Sequence, residues 1–164
     1  MKISTRYCLD ADSLITIKNG PYGFDLWPDF WAFLGREIET GRVYACSWVY
    51  KEWREGNDDL AEWVKDFRTL GLSTIPDTVV QTKYRQIVNS VQGQFSEERA
   101  AQFLAGADPW TIAQAWKDQS TVVTFEKRVG ADSKKIKIPN ICDQYAVKCI
   151  NIYEMLRELK RADP

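Results

Sequence analysis

The run Thr121-Val122-Val123-Thr124-Phe125-Glu126 decides the fold class. Its first four residues are all β-branched, which costs side-chain freedom in a helix and suits a pleated sheet. Residues 121–124 therefore read as a strand, with the Glu126 carboxylate two residues beyond it. Upstream, Val43-Tyr44-Ala45-Cys46 and Arg6-Tyr7-Cys8-Leu9 read the same way. Leu72-Ser73-Thr74-Ile75 is a shorter strand stopped by Pro76, and residues 147–150 are the last. An all-helical chain does not accommodate 43–46 and 121–124.

The stretches between these runs have helical spacing. Trp27, Trp31, Leu34 and Ile38 share a face that Pro28 opens and Gly41 closes. Ser47 stands where an N-cap belongs, ahead of a helix through Trp53. Leu60, Trp63, Val64 and Phe67 follow i, i+3, i+4, i+7 spacing, with Asp59 and Glu62 as a cap pair. Val80, Tyr84, Ile87, Val88 and Val91 form another face, and 96–104 a short helix. Asp108-Pro109 predicts an N-cap followed by the first helical residue. Residues 140–146 predict a short helix, and Asn151 with Glu154 caps a final one on Ile152, Leu156 and Leu159. Strand–helix alternation predicts an α/β fold with a mainly parallel sheet of about five strands flanked by helices. With no linker and no repeat, 1–164 is expected to be a single domain.

Composition narrows the chemistry. The 164 residues include no histidine, which excludes Ser-His-Asp and Cys-His nucleophiles, histidine-ligated zinc and histidine bases. Cys8, Cys46, Cys142 and Cys149 form no C-x-x-C pair and are expected to be buried free thiols. A net charge of -1 gives no global pull on polyanions, so an anionic partner has to meet a local basic patch. No apolar run is long enough to span a membrane, and Met1 to Arg6 carries no apolar signal stretch, so a cytoplasmic location is expected.

In an open parallel sheet the site lies at the carboxyl ends of the strands. That rule selects Asp10 and Asp12 after the first strand, Glu52 after the second, and Asp108 on the helix leading to the 121–124 strand. It adds Glu126, just past that strand, and Asp143, near the start of the helix leading to the last strand. Each acid also has an ordinary reading as a helix-start, solvated or turn residue. Asp10 is the least ordinary, because an acid directly after an apolar strand must be hydrated or paired. Anions brought to one edge raise each other's pKa, and a hard cation, Mg²⁺ or Mn²⁺, relieves the repulsion.

These segments resemble the PIN-domain family of metal-dependent nucleases, which includes VapC-like toxins. Tyr7-Cys8-Leu9-Asp10-Ala11-Asp12-Ser13-Leu14-Ile15 resembles the family's opening strand and first acid, with Asp12 at a polar position. Ser47-Trp48-Val49-Tyr50-Lys51-Glu52-Trp53 resembles the segment with the second acid. Residues 106–115 resemble the third motif, around Asp108, and 121–126 the fourth, around Glu126. The extra helical stretch within 77–102 and the segment 133–140 depart from the compact pattern and resemble a less characterised PIN-like branch. The resemblance implies a three-layer sandwich and a Mg²⁺- or Mn²⁺-dependent endoribonuclease, the toxin of a toxin–antitoxin pair. Asp10, Asp108 and Glu126 would ligate metal, with Glu52 completing the acidic pocket. Asp12, Ser47, Thr124 and Asp143 would support them.

The cations Lys127, Arg128, Lys134, Lys135 and Lys137 are expected to meet RNA phosphates. Trp48, Trp53 and Trp110 are candidates to stack bases. An antitoxin protein is the expected partner, with Trp27, Phe30, Trp31, Trp48 and Trp53 as candidate groove residues, and a homodimer is left open. Two other readings remain: a haloacid-dehalogenase-type phosphatase with Asp10 as nucleophile and Asp12 as acid/base, though Leu14 replaces the usual Thr; and a non-catalytic PIN-like binding module.

Overall fold

The computed structural model describes residues 4–162. Five strands, β1 (Tyr7–Leu9), β2 (Val43–Cys46), β3 (Ser73–Thr74), β4 (Thr121–Val123) and β5 (Cys149–Ile150), form one sheet in the order β3-β2-β1-β4-β5. Every pairing is parallel, with Tyr7 opposite both Val43 and Thr121. β1 is central, so the segment that leaves it emerges in the middle of the carboxyl edge.

Period-2 alternation divides the core between the two faces. Tyr7, Leu9, Val43, Ala45 and Val123 pack on one side, with α1 (Ala11–Asn19), α2 (Pro28–Glu39), α3 (Ser47–Glu55), α4 (Asp59–Lys65) and α9 (Ile152–Ala162). Cys8, Tyr44 and Val122 face the other side, with α5 (Thr78–Gln94), α6 (Glu97–Leu104), α7 (Asp108–Asp118) and α8 (Ile138–Gln144). The strands are buried on both faces, which is why they read as continuous apolar runs. Gly41, at φ +76°, takes the left-handed position just past α2 and turns the chain into β2.

Several helix starts differ from the sequence expectations. Ser47 is the first residue of α3 and Cys46 holds the cap position, so Ser47 is not the N-cap. Asp58, not Asp59, caps α4 by accepting from the Ala61 N–H. Asp108 is not the N-cap of α7: Ala107 is already αR, and its carbonyl accepts from Thr111 N, so Asp108 lies inside the first turn. The 140–146 helix runs instead over Ile138–Gln144, because Pro139 sets its start and the Glu126 carboxylate takes the Ile138 N–H. Asp143 therefore sits at the end of that helix, not near its beginning. The last strand is shortened to Cys149–Ile150, whereas Asn151 and Glu154 exchange reciprocal side-chain bonds as the cap pair predicts. In α9 the innermost residues are Ile152, Met155 and Leu159; Leu156 packs at the border. Cys8, Cys46 and Cys142 are buried free thiols, and Cys149 is half-buried. Among the described residues no helix is long and apolar enough to cross a membrane.

Candidate functional site

Asp10 is a buried acid held by its neighbours' hydrogen bonds. It follows β1, is 2 % exposed, and caps α1, a helix to which the β-branched Ile15-Thr16-Ile17 run gives little sequence signal. Its Oδ1 accepts from Ser13 N at 2.8 Å and lies 2.5 Å from Ser13 Oγ; its Oδ2 accepts from Thr124 Oγ1 at 2.5 Å. The Thr124 hydroxyl in turn accepts from Glu126 N, and Asp10 N donates to Val123 O, so β4 holds Asp10 from both sides. Trp53 Nε1 donates to Ala11 O and pins the start of α1 to α3. Burial still pushes the Asp10 carboxyl up to about 6, against these three hydrogen bonds. Ser13 is absent from the sequence-predicted site. Its signal is the Asp-x-x-Ser spacing at a helix start, where the fourth residue's N–H and hydroxyl both reach back to the capping acid.

Asp108 lies on α7 close enough to sense the other acids. Burial comes first, then the charges of Asp10, Glu126, Glu52 and Asp12, and together they push its carboxyl up to about 7. The Asp10 charge is the first of these anions to act on Asp108. Glu52 is exposed on α3 and raised by partial desolvation, opposed by the Ala107 N–H and helped by Glu55 and Asp12. Asp12 is exposed in the first turn of α1 and adds negative charge to Asp10, Glu52 and Asp108 alike.

The remaining predicted residues are placed differently. Glu126 is turned towards the chain that follows it: Oε1 accepts from Lys137 Nζ at 3.0 Å and Oε2 from Ile138 N at 2.7 Å. Asp143 receives a bidentate pair of hydrogen bonds from Arg128 Nε and Nη2, both at 2.8 Å, and that guanidinium holds it below the usual carboxylate range. Neither Asp143 nor Arg128 is among the leading influences on Asp108. Ser47 lines a cavity beside Trp48. Among the described residues, no group of three or more His, Cys, Asp or Glu is gathered tightly enough to hold a metal ion by itself. The acids share one field without sharing one contact shell. That donor set suits a hydrated hard cation, because Mg²⁺ keeps several waters and needs only one or two direct carboxylates.

Positive charge lies next to this edge. Asp108 lines a cleft of about 390 Å³ together with Arg99, Gln102, Lys134, Lys135 and Lys137. Arg99, Lys134 and Lys135 also line an adjoining cleft of about 820 Å³ between the α5–α6 junction and the 129–135 loop. Arg99 Nη1 donates to Lys134 O and ties α6 to that loop. Arg99 and Gln102 belong to the extra 77–102 stretch, and only the fold brings them to this groove. Trp53 is 1 % exposed and core-packed, so it does not stack a base; Trp31 at 2 % is likewise core, not groove.

Comparisons with other proteins agree with this architecture. A family model described as "Domain of unknown function (DUF4411)" matches residues 7–162. No curated protein matches the sequence. Among solved structures the chain is similar to one from the crystal structure of VapBC2 from Rickettsia felis bound to a DNA fragment from their promoter. The identity is 10 %, the match covers 90 % of this chain and 98 % of that one, and the TM-score is 0.54. The all-parallel five-stranded sheet with helices on both faces is a PIN-like fold.

Proposed function

This chain belongs to the DUF4411 family, and from that premise we propose that it is a Mg²⁺- or Mn²⁺-dependent endoribonuclease, the toxin half of a toxin–antitoxin pair. The observation that carries the reading is the raised pair Asp10, buried, and Asp108, half-buried, two acids at the carboxyl edge whose charges are resisted by desolvation and by other anions. Desolvation and the neighbouring anions resist ionisation of Asp108, and a cation bound at the edge would relieve that resistance. Asp10 and Asp108 would hold the ion directly, with Glu52 and Asp12 acting through water. When bound, the ion supplies charge for the attacking water and for the leaving oxygen of the phosphodiester.

The chain's own residues do the rest. Ser13 and Thr124 fix the Asp10 carboxylate, leaving a lone pair on Oδ2. Glu126 ties down Lys137 and the start of α8, which shapes the loop carrying Lys134 and Lys135. Those lysines and Arg99 form a cationic track for a phosphate backbone that ends at Asp108. The phosphatase alternative is disfavoured by Leu14, a core residue standing where that chemistry calls for Thr, and by Glu52 and Asp108, which it leaves without a role. The VapBC2 likeness supports an antitoxin partner.

The test is cleavage of unstructured RNA with Mn²⁺ by the parent and by Asp10→Asn. The reading expects metal-dependent cleavage lost in the variant; equal cleavage by both removes the site. Co-expression with the product of the adjacent gene tests the toxin role separately.

A further inference from the structure

The chain reverses sharply between α8 and β5, and the reversal sets two cysteines side by side. At the end of α8, Val147 N donates to Cys142 O at 3.0 Å and Ala146 N to Asp143 O at 3.4 Å, the paired bonds that close a helix. Ala146 takes the left-handed position there, at φ +53°, where glycine is the usual occupant. The chain then returns at once as β5, with Cys149 opposite Val122. Parallel neighbours in register point to the same face, so Cys149 turns with Val122 towards α8 and its buried Cys142. The two thiols stand in hydrogen-bond contact.

The pair is asymmetric. Cys142 is sealed in the core, while Cys149 is half-buried on an edge strand. Cys149 lines a cavity of about 320 Å³ together with Glu126, Lys127, Arg128 and Pro139, and the charge of Arg128 reaches both sulfurs. Partial exposure beside a cation is the setting of reactive cysteines, whereas full burial keeps a thiol inert. Cys8 and Cys46 have the inert setting: both are fully buried, their sulfurs beside Thr111 of α7.

We propose that Cys142 and Cys149 are a modification site, a dithiol that a peroxide converts reversibly to a disulfide fastening α8 to β5. The Cys149 thiolate attacks one peroxide oxygen; the S–O bond forms, the O–O bond breaks, and Cys149 becomes a sulfenic acid as hydroxide leaves. Contact with Cys149 and burial push the Cys142 thiol up, so it keeps its proton until the second step. There the Cys142 sulfur attacks the Cys149 sulfur. The S–S bond forms, the S–O bond breaks, and the departing oxygen carries the Cys142 proton away as water. Two thiols and one hydrogen peroxide thus give one disulfide and two waters, and a small thiol reverses the bond by exchange. Ile138 and Asn140 tie α8 to Glu126 and Val129, so the bond also restrains the loop carrying Lys134 and Lys135. Nothing in this chemistry draws on Asp10 or Asp108.

The test uses the full chain, reduced, freed of reductant and exposed to hydrogen peroxide while folded. Trypsin cuts after Lys148, between the two cysteines, so the disulfide appears in mass spectra as peptide 138–148 joined to 149–157 and parts on reduction. Free thiols, counted after denaturation, are expected to fall from four to two, with Cys8 and Cys46 still reduced. Amide exchange across 138–144 should slow roughly 10-fold or more, the order for a disulfide closing a short loop. Cys149→Ser should keep its remaining thiols, and Cys142→Ser should stop at a Cys149 sulfenic acid that dimedone traps. Should Cys142→Ser fail to fold, the parent and Cys149→Ser decide the matter. Four thiols surviving in the parent overturns the proposal, as does loss of Cys8 or Cys46 ahead of Cys149. A dimer linked through Cys149 in place of the joined peptide overturns it too. Unchanged exchange in protein that carries the bond overturns its role in fastening α8.

Discussion

Replacing Asp108 with asparagine should stabilise the folded protein at alkaline pH and do nothing at acid pH. The Asp108 carboxyl is held at about 7 when folded and returns to about 3.8 when unfolded. Below pH 4 both states keep the proton, and the group's contribution to stability is full. As pH rises from 4 to 7 the unfolded chain ionises freely while the folded one resists, so stability falls. Above 7 the penalty is constant. At about 1.4 kcal/mol per pH unit the undiscounted cost is a little over 4 kcal/mol, and partial exposure of Asp108 reduces it to ~2 kcal/mol. Asp108→Asn removes the charge and keeps the shape. Urea melts of parent and variant in chelator, at pH 4 and at pH 8, should differ by ~2 kcal/mol at pH 8 only. Saturating Mn²⁺ should raise the parent by about 2.7 kcal/mol at a hundred times its Kd and raise the variant much less. Equal stability of the two proteins at pH 8, or the same difference at both pH values, would refute the convergence of acids on which the functional reading depends.

Other outcomes follow from the hydrogen bonds around the edge. Thr124→Val should raise the Asp10 carboxyl above 6, cost about 1 kcal/mol, and weaken Mn²⁺ binding roughly 10-fold, read by calorimetry. Glu126→Gln should loosen the start of α8 and the 127–137 loop, seen as faster amide exchange at Ile138 with a loss of about 1–2 kcal/mol. Asp143→Ala should change stability by less than about 1 kcal/mol and leave Mn²⁺ affinity untouched, since its partner Arg128 lies on the exposed surface. If Mn²⁺ affinity falls in Asp143→Ala, the boundary of the site is wrongly drawn.

Sequence reading reached the sheet and most of its helices for one reason: strands buried on both faces are short apolar runs, and helix faces repeat at three and four residues. Helix starts were less legible by one or two residues. At Asp108 a good capping acid stands before a proline, yet Ala107 is already helical, and propensity alone does not say which residue takes the cap. That slip matters chemically. Inside the first turn, the Asp108 carboxyl is left under the influence of Asp10, Glu126, Glu52 and Asp12. Glu126 and Asp143 show what a rule about position leaves out. Both were reachable by the strand-end rule, but the rule carries no information about Lys137, Ile138 or Arg128, which claim their oxygens in the folded chain.

The same contrast explains why four motif acids do not make four equivalent ligands. An acid is free to hold a cation only if its own neighbourhood leaves charge uncompensated. Asp108 meets that condition most fully, since burial and four anions act on it together. Asp10 meets it in part: its three hydrogen bonds orient the carboxylate without neutralising it, and its proton affinity stays raised. Glu126, with an ammonium at 3.0 Å and a helix N–H at 2.7 Å, is already compensated. Releasing Lys137 by Lys137→Met should therefore return a negative charge to the edge and raise the Asp108 carboxyl above 7. Carboxylate NMR titration would show it, and an unchanged midpoint would mean that Glu126 and Asp108 do not share a field.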